Sequence, residues 1–440
     1  MIQTIRNAWK VPELRMKMLY TVLIIIVFRI GSCIPVPYLD AGALATMVNA
    51  GESGIGAFFR FSDTLSGGSL QKATIFAMGV NPYITSSIVV QLLTVAIPAL
   101  ERMSKDGEEG RKKMTALTRY VTIGLGIIQG FGLYMFLRNS ARAVKVTSGG
   151  AGIFVAIVII AVLTAGTALM MWFGEQINKK GIGNGISILL FAGIVSRMPS
   201  FIETVIKFFM AAIKNPESEG VGFIIAPLFV IMFVAIVWVV VFMNDAERRI
   251  PVQYAKRVVG RKMYGGQSTH IPIKVGLTGV MPIIFAGTIL QMPIMIKNLF
   301  SINEGFWASF LGYFDPSKWL YPVLDFILIL AFAFFYMTIQ YNPIEMSNNL
   351  RQSNGTIPGI RPGKPTSDFL SKILSKVTLT GALFLAVLSI LPYLMSIVPE
   401  LRAFNIQGTS MIILVGVALE TVKQMESQMM MRHYKRFLDS

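Results

Sequence analysis

The sequence predicts an all-α, polytopic membrane protein with ten transmembrane helices in two five-helix halves of opposite orientation. Three observations predict it. The 440 residues are 54% hydrophobic and only 14% charged, where soluble domains average about 25% charged, and the mean hydropathy is +0.62. Ten apolar runs of a length suited to a ~30 Å hydrocarbon core alternate with polar stretches. The lysines and arginines concentrate in every second one of those stretches.

Taken in order, the spans lie near 18–36, 73–97, 119–138, 152–173 and 185–210, then near 222–243, 274–297, 319–341, 374–397 and 407–424. Arg6, Lys10, Arg15 and Lys17 precede the first, and Arg102, Lys105, Arg111, Lys112, Lys113 and Arg119 separate the second from the third. Lys179 and Lys180 precede the fifth, and Arg248, Arg249, Lys256, Arg257, Arg261, Lys262 and Lys274 precede the seventh. Arg351, Arg361, Lys364, Lys372 and Lys376 precede the ninth, and Lys423, Arg432, Lys435 and Arg436 follow the tenth. With the N-terminus in the cytoplasm, 28 of the 40 basic residues lie inside, which sets the orientation and puts both termini in the cytoplasm. The formal charge of +17 is therefore mostly topology rather than a nucleic-acid footprint. Five spans per half place residues 1–215 and 216–440 upside down relative to one another, an inverted-repeat arrangement.

The stretch from Phe58 to Leu92 departs from the simple span pattern. Its first part, FFRFSDTLSGG, is amphipathic and too short to cross. Its second part can cross, yet carries Asn81, Pro82, Thr85, Ser86, Ser87 and Gln91 at membrane depth, so it should face protein or water.

The composition also excludes several chemistries. One cysteine, Cys33, allows no internal disulfide, and the lipoprotein-like Ile-Gly-Ser-Cys that it ends is discounted because Arg29 interrupts the apolar run before it and many further spans follow. His270 and His433 lie far apart, so neither a metal site nor a cofactor is expected. No serine-histidine pair, HExxH helix or paired membrane aspartates are present, so no catalytic residues and no enzyme are expected. GIGNG at Gly181–Gly185 lacks the Gly-Lys-Ser/Thr of a phosphate loop. It reads instead as a helix start where glycines let spans pack closely. Energy for any transport must come from another molecule. A secondary transporter shares the inverted repeats, but its ion coupling needs intramembrane charge. Here Glu175 and Glu420 sit near span ends and Asp325 lies in the outer half of the eighth span.

Four segments carry a specific likeness: FRIGSCIPVP, TIFAMGVNPYITSSIVVQL (Thr74–Leu92), WFGEQINKKGIGNGISILL (Trp172–Leu190) and GIRPGKPT (Gly359–Thr366). Together they resemble the bacterial SecY family, the channel-forming subunit of the protein translocase, and the resemblance runs essentially end to end. It implies a central pore through which unfolded secretory polypeptides pass, and a lateral gate that releases transmembrane segments. It makes Phe58, Phe59, Phe61, Leu65, Ser66, Gly67, Gly68 and Leu70 part of a short plug helix, hinged at Ser66 to Ser69. The same residues would also suit an ordinary re-entrant helix.

The resemblance further places Val80, Ile84, Ile186, Leu190, Ile284 and Ile413 in an apolar pore ring, where periodicity alone would assign them to bundle packing. Gln91, Gln129 and Thr288 would form the polar cluster of the gate, or else plain interhelical glue. The loops 244–274 and 342–376 are longer than topology needs. In the family they dock the SecA motor ATPase or the ribosome, through residues here numbered Arg248, Arg249, Lys256, Arg257, Arg261, Lys262, Arg361 and Lys364. SecE-like and SecG-like small subunits, secretory preproteins with their signal sequences, and membrane lipid are the remaining implied partners. The implied location is the bacterial cytoplasmic membrane.

Overall fold

Apolar runs of this length leave the backbone one way to satisfy its own hydrogen bonds in lipid, and the chain accordingly folds almost wholly into helices. A computed structural model describes residues 2–50, 63, 66–139, 143–145, 149–214, 222–254, 257–259, 262–264, 268–276, 279–299, 305–315, 318–395 and 408–438. The chain divides into two units, one of Met1–Ala226, Thr288–Tyr321 and Ile413–Ser440, the other of Pro227–Gly287 and Pro322–Ile412.

The first unit holds α1 (Ile2–Trp9), α2 (Pro12–Gly31), α3 (Ala41–Ala50), α4 (Asn81–Ala96), α5 (Pro98–Lys105), α6 (Gly107–Asn139), α7 (Gly149–Lys180), α8 (Gly185–Val195) and α9 (Met198–Lys214). Helices α10 (Gly222–Asp245), α11 (Met281–Leu299), α13 (Leu320–Gln340) and α16 (Gly408–Leu438) each begin in one unit and end in the other, while α12 (Phe306–Gly312) belongs to the first. The second unit adds α14 (Pro343–Gln352) and α15 (Lys364–Met395).

Nine of the ten expected spans fall on one helix each, and the fifth, 185–210, falls on α8 and α9 with a short break at 196–197. Among the described residues six helices are long and apolar enough to cross a membrane, and α4 with α5 forms a further pair bent by 104°.

Two boundaries differ from expectation. The second span begins as a helix at Asn81 rather than near 73, and residues 66–80 form a run of turns instead. Pro82 explains the start, because it has no N–H to donate and fits only the first helical turn. Gly67, Gly68, Ala73 and Gly79 all adopt positive φ, which no continuing helix accepts. The loop 342–376 is likewise not all loop. It contains α14, and α15 begins at Lys364, so the ninth helix extends three turns before the expected span.

The loop 244–274 is a hairpin, as the alternation of Ile250, Val252 and Tyr254 predicts. Strand β1 (Glu247–Tyr254) pairs antiparallel with β4 (Ser268–Lys274), from Glu247 opposite Lys274 to Gln253 opposite Ser268, and short strands β2 (Arg257–Val259) and β3 (Lys262–Tyr264) pair with each other. Strand β5 (Gly355–Thr356), from the other long loop, joins the free edge of β1. Ile250, Val252, Ile273, Leu350, Ile357, Leu370 and Leu374 form one core beneath them. The two long loops are thus a single folded body, not two separate tethers.

Candidate functional site

The segment 66–80 is the unusual part of the first unit, since its backbone is irregular yet buried among helices. Its polar groups are satisfied by its own turns. Asp63 anchors them: its carbonyl accepts the Gly68 N–H at 2.8 Å and the Ser66 hydroxyl at 3.2 Å, and its Oδ1 accepts the Gln71 N–H at 2.8 Å. Ser69 donates to the Ser66 carbonyl at 2.8 Å, and Thr74 donates its hydroxyl to the Ser69 carbonyl at 3.1 Å. The end of the first span holds the segment by two backbone bonds, Val36 N–H to Ala73 carbonyl at 2.8 Å and Ile75 N–H to Ile34 carbonyl at 3.1 Å.

Side chains complete the clamp. Leu70 enters a core with Val36, Leu39, Met78, Tyr134, Leu137, Ile159 and Leu163. The Phe76 ring lies 5.7 Å from Phe28 of α2 and 6.2 Å from Phe173 of α7. A methyl group on Gly31 would strike the Phe76 ring, and one on Gly166 would strike the Ile75 carbonyl, so both helices approach closely only because those residues are glycine.

Two arginines from outside the segment reach it. Arg197, just beyond α8, pairs with Asp63 at 2.8 Å, and Arg29 of α2 donates to the Gly67 carbonyl at 3.4 Å. Burial pushes the Asp63 carboxyl above its ordinary value, while the Arg197 charge and the amides of Gln71 and Leu70 pull it back down. Sequence reading missed this cluster. Its signals were an acid in an otherwise apolar and small-residue stretch, an arginine interrupting the first span, and an arginine left outside the inward-facing set.

Of the polar residues expected to face protein or water in the second span, three are buried and Asn81, Ser87 and Gln91 are half-buried. Pro82, Thr85 and Ser86 are buried. Thr85 and Ser86 satisfy themselves by donating to the carbonyls of Asn81 at 3.0 Å and Pro82 at 2.8 Å, four residues back.

Four of the six expected ring residues fall in two same-helix pairs. Val80, at the N-cap of α4, accepts the Ile84 N–H at 3.0 Å, so these two buried residues share one face. Ile186 and Leu190 share a face of α8 by the same four-residue spacing. The start of α8 is fixed by Asn184, whose side chain accepts from the N–H groups of Ile186 at 3.2 Å and Ser187 at 3.4 Å, and by Asn178 accepting from Gly185 at 2.7 Å. Gly185 lies against the Gly174 backbone of α7, and the end of the Ile186 side chain covers Gly174. Ile413 is buried on α16 in the first unit, and Ile284 is half-buried on α11 in the second.

Gln91 of α4 and Gln129 of α6 are half-buried on neighbouring helices, and Thr288 is half-buried on α11. Near the C-terminal end of α7, beside Gly174, Arg119 of α6 grips Glu175 with two bonds of 2.6 and 2.5 Å. That fork joins α6 to α7 and was not anticipated.

Of the expected docking residues, Arg248, Arg249, Arg361 and Lys364 are exposed. Arg249 pairs with Glu247 at 2.7 Å. Arg361 sits in a turn bounded by Gly359 and Gly363 at φ +80° and +100°. That turn is held by the Thr366 hydroxyl on the Arg361 carbonyl at 2.8 Å and the Ser347 hydroxyl on the Gly363 carbonyl at 2.9 Å. Arg257 and Lys262 lie in β2 and β3. Phe58, Phe59, Phe61, Leu65, Lys256 and Arg261 lie outside the described residues.

A family model described as SecY matches residues 74–422. The chain is 42% identical to the protein translocase subunit SecY of Streptomyces coelicolor over 100% of both chains. A solved SecY whose plug domain stabilises the closed state of the translocation channel and maintains a membrane seal aligns with a TM-score of 0.65 at 18% identity, over 94% of this chain and 92% of that one. Sec61 in the canine ribosome-channel complex from the endoplasmic reticulum aligns with a TM-score of 0.61 at 16% identity, over the same shares, 94% and 92%. The two structures share this fold. The family model and the Streptomyces relative settle descent: this multi-pass membrane protein belongs to the SecY family.

Proposed function

We propose that the chain is the protein-conducting channel of a Sec translocase in a bacterial cytoplasmic membrane, with both termini in the cytoplasm. Secretory polypeptides pass through it unfolded, and transmembrane segments leave sideways. The observation that carries this reading is the irregular, buried segment 66–80, clamped between α2 and α7 directly before α4. A bundle meant only to be solid has no need of irregular backbone at its heart, whereas a channel that must close needs removable filling. Residues 58–70 are that filling. Val80, Ile84, Ile186, Leu190, Ile284 and Ile413 are the constriction, apolar enough to dewet around a moving chain without binding it.

Gln91, Gln129 and Thr288 are the weak polar seam of the lateral gate. Interhelical hydrogen bonds of this kind average about 0.6 kcal/mol, so a signal sequence can compete with them. The hairpin body with Arg361 and Lys364 is the docking platform for the SecA motor or the ribosome, whose phosphates attract such side chains regardless of sequence. SecE-like and SecG-like subunits complete the assembly. Membership of a family of translocase subunits sets aside the transporter that the span count alone allowed.

Photo-crosslinkers placed at Ile186 and Ile284 test the channel. Both should capture a stalled secretory chain, whereas one at Ile159, fully buried in the core of the first unit, should not. Absence of adducts from both ring positions refutes the pore assignment.

A further inference from the structure

Arg197 occupies the short break between α8 and α9, and its guanidinium is 2.8 Å from a carboxylate with no exposed surface, that of Asp63. An exposed pair would contribute little. Here Asp63 is fully buried while Arg197 stays partly exposed, so removing Arg197 strands a buried carboxylate, and removing the Asp63 charge releases an arginine that water still reaches. Asp63 is also the node of the turns that follow it, through its carbonyl and its Oδ1. A second contact lies one turn away, where the Gly67 carbonyl receives Arg29 at 3.4 Å and the Ser196 hydroxyl at 3.5 Å. A methyl group at Gly67 would press on both Arg29 and the Gly193 backbone, so the segment rests directly on the end of α8. That same helix carries Ile186 and Leu190. Leu190 and Arg197 are separated by about two helical turns, close enough for one rigid element to feel both.

We infer that Asp63 and Arg197, with Arg29, are positioning residues that tether the closing segment to the end of α8. A polypeptide pressing on the ring residues of α8 thereby loosens the segment that seals the pore. Constriction and seal open as one event, and the strength of the ion pair sets how apolar a signal sequence must be to open them. The inference rests on the reading of residues 58–70 as the plug.

The test uses the full chain in cells depleted of their own copy, with a reporter whose signal sequence is weakened by a charge in its apolar stretch. Asp63→Asn and Arg197→Gln should each raise export of that reporter about tenfold or more, because the first removes the charge that holds Arg197 and the second strands the buried Asp63 carboxylate in the closed state. Export of the intact-signal reporter should stay at the parental level. The exchange Asp63→Arg with Arg197→Asp should bring the weakened reporter back toward the parental level. A chain lacking residues 58–70 serves as control. Leak from that deletion combined with parental selectivity in both single variants refutes the tether and spares the plug. No leak from the deletion refutes both. A second measurement holds even if the single variants accumulate poorly. In a Cys33→Ser background, Asp63→Cys and Arg197→Cys bridged by a short bismaleimide should block export, and parental export through the bridged channel overturns the inference.

Discussion

Asn184 and Gly185 set where the fifth span begins, each through a different force. Asn184 satisfies two otherwise orphaned N–H groups of the first turn of α8. Gly185 has no side chain to cap with; its N–H donates to Asn178, and its missing side chain lets the helix start lie on the Gly174 backbone. Losing the cap by Asn184→Ala should cost about 1 kcal/mol. Adding a methyl by Gly185→Ala meets backbone that cannot swing aside, and should cost about 1–3 kcal/mol. Thermal unfolding of the purified chain should rank the glycine variant as less stable, and the reverse order would contradict the packing account. Gly-Ile-Gly-Asn-Gly was readable as such a helix start because caps and close glycine contacts are local chemistry. The Asp63–Arg197 pair was not readable, because its partners lie 134 positions apart and only the folded chain brings them together.

At the scale of elements, the body made by the two long loops separates binding from folding. Val252 has no exposed surface and packs in the same core as Leu370 and Leu374, whereas Arg361 points into solvent from a turn fixed by Thr366 and Ser347. Arg361→Glu should therefore weaken motor-driven export by about tenfold or more through lost charge complementarity while leaving the body protease-resistant. Val252→Asp should bury an unpaired carboxylate, and both protease resistance and export should fall. Limited proteolysis of inside-out membranes together with an export assay distinguishes the two, and loss of resistance in the Arg361 variant would make it a structural residue. The hairpin was legible from the alternation of Ile250, Val252 and Tyr254, a period of two that only a strand uses. That β5 would close onto the hairpin was not legible. A strand of two residues leaves no periodic trace, and Gln253 meets Thr356 across 103 positions. The late start of the second span's helix was half visible: Pro82 was seen, but the four residues with positive φ between Gly67 and Gly79 include Ala73, an alanine that composition does not flag.

For the whole molecule, the charge pattern makes a prediction that neither packing nor site geometry supplies. If the side that gathers 28 of 40 basic residues is the cytoplasmic one, as the cost of translocating a lysine or arginine against the membrane potential predicts, the loops have assigned sides. The lone cysteine is a native probe of that assignment. Cys33 is exposed and follows the first span, so it belongs on the outer side if the N-terminus is inside. A membrane-impermeant thiol reagent should label it in intact spheroplasts, and Cys33→Ser should abolish the signal. In that cysteine-free background, Ser309→Cys on the exposed face of α12 should be labelled from outside. Ser353→Cys, exposed just after α14, should be labelled only once the membrane is opened. The pair brackets α13, so a single span must carry the chain from one side to the other between them. Labelling of both from the same side would remove that crossing, and with it the five-plus-five inversion. Labelling of Ser353→Cys alone in intact cells would keep the spans but invert the molecule, placing Arg361 and its hairpin body where no cytoplasmic motor or ribosome could reach them.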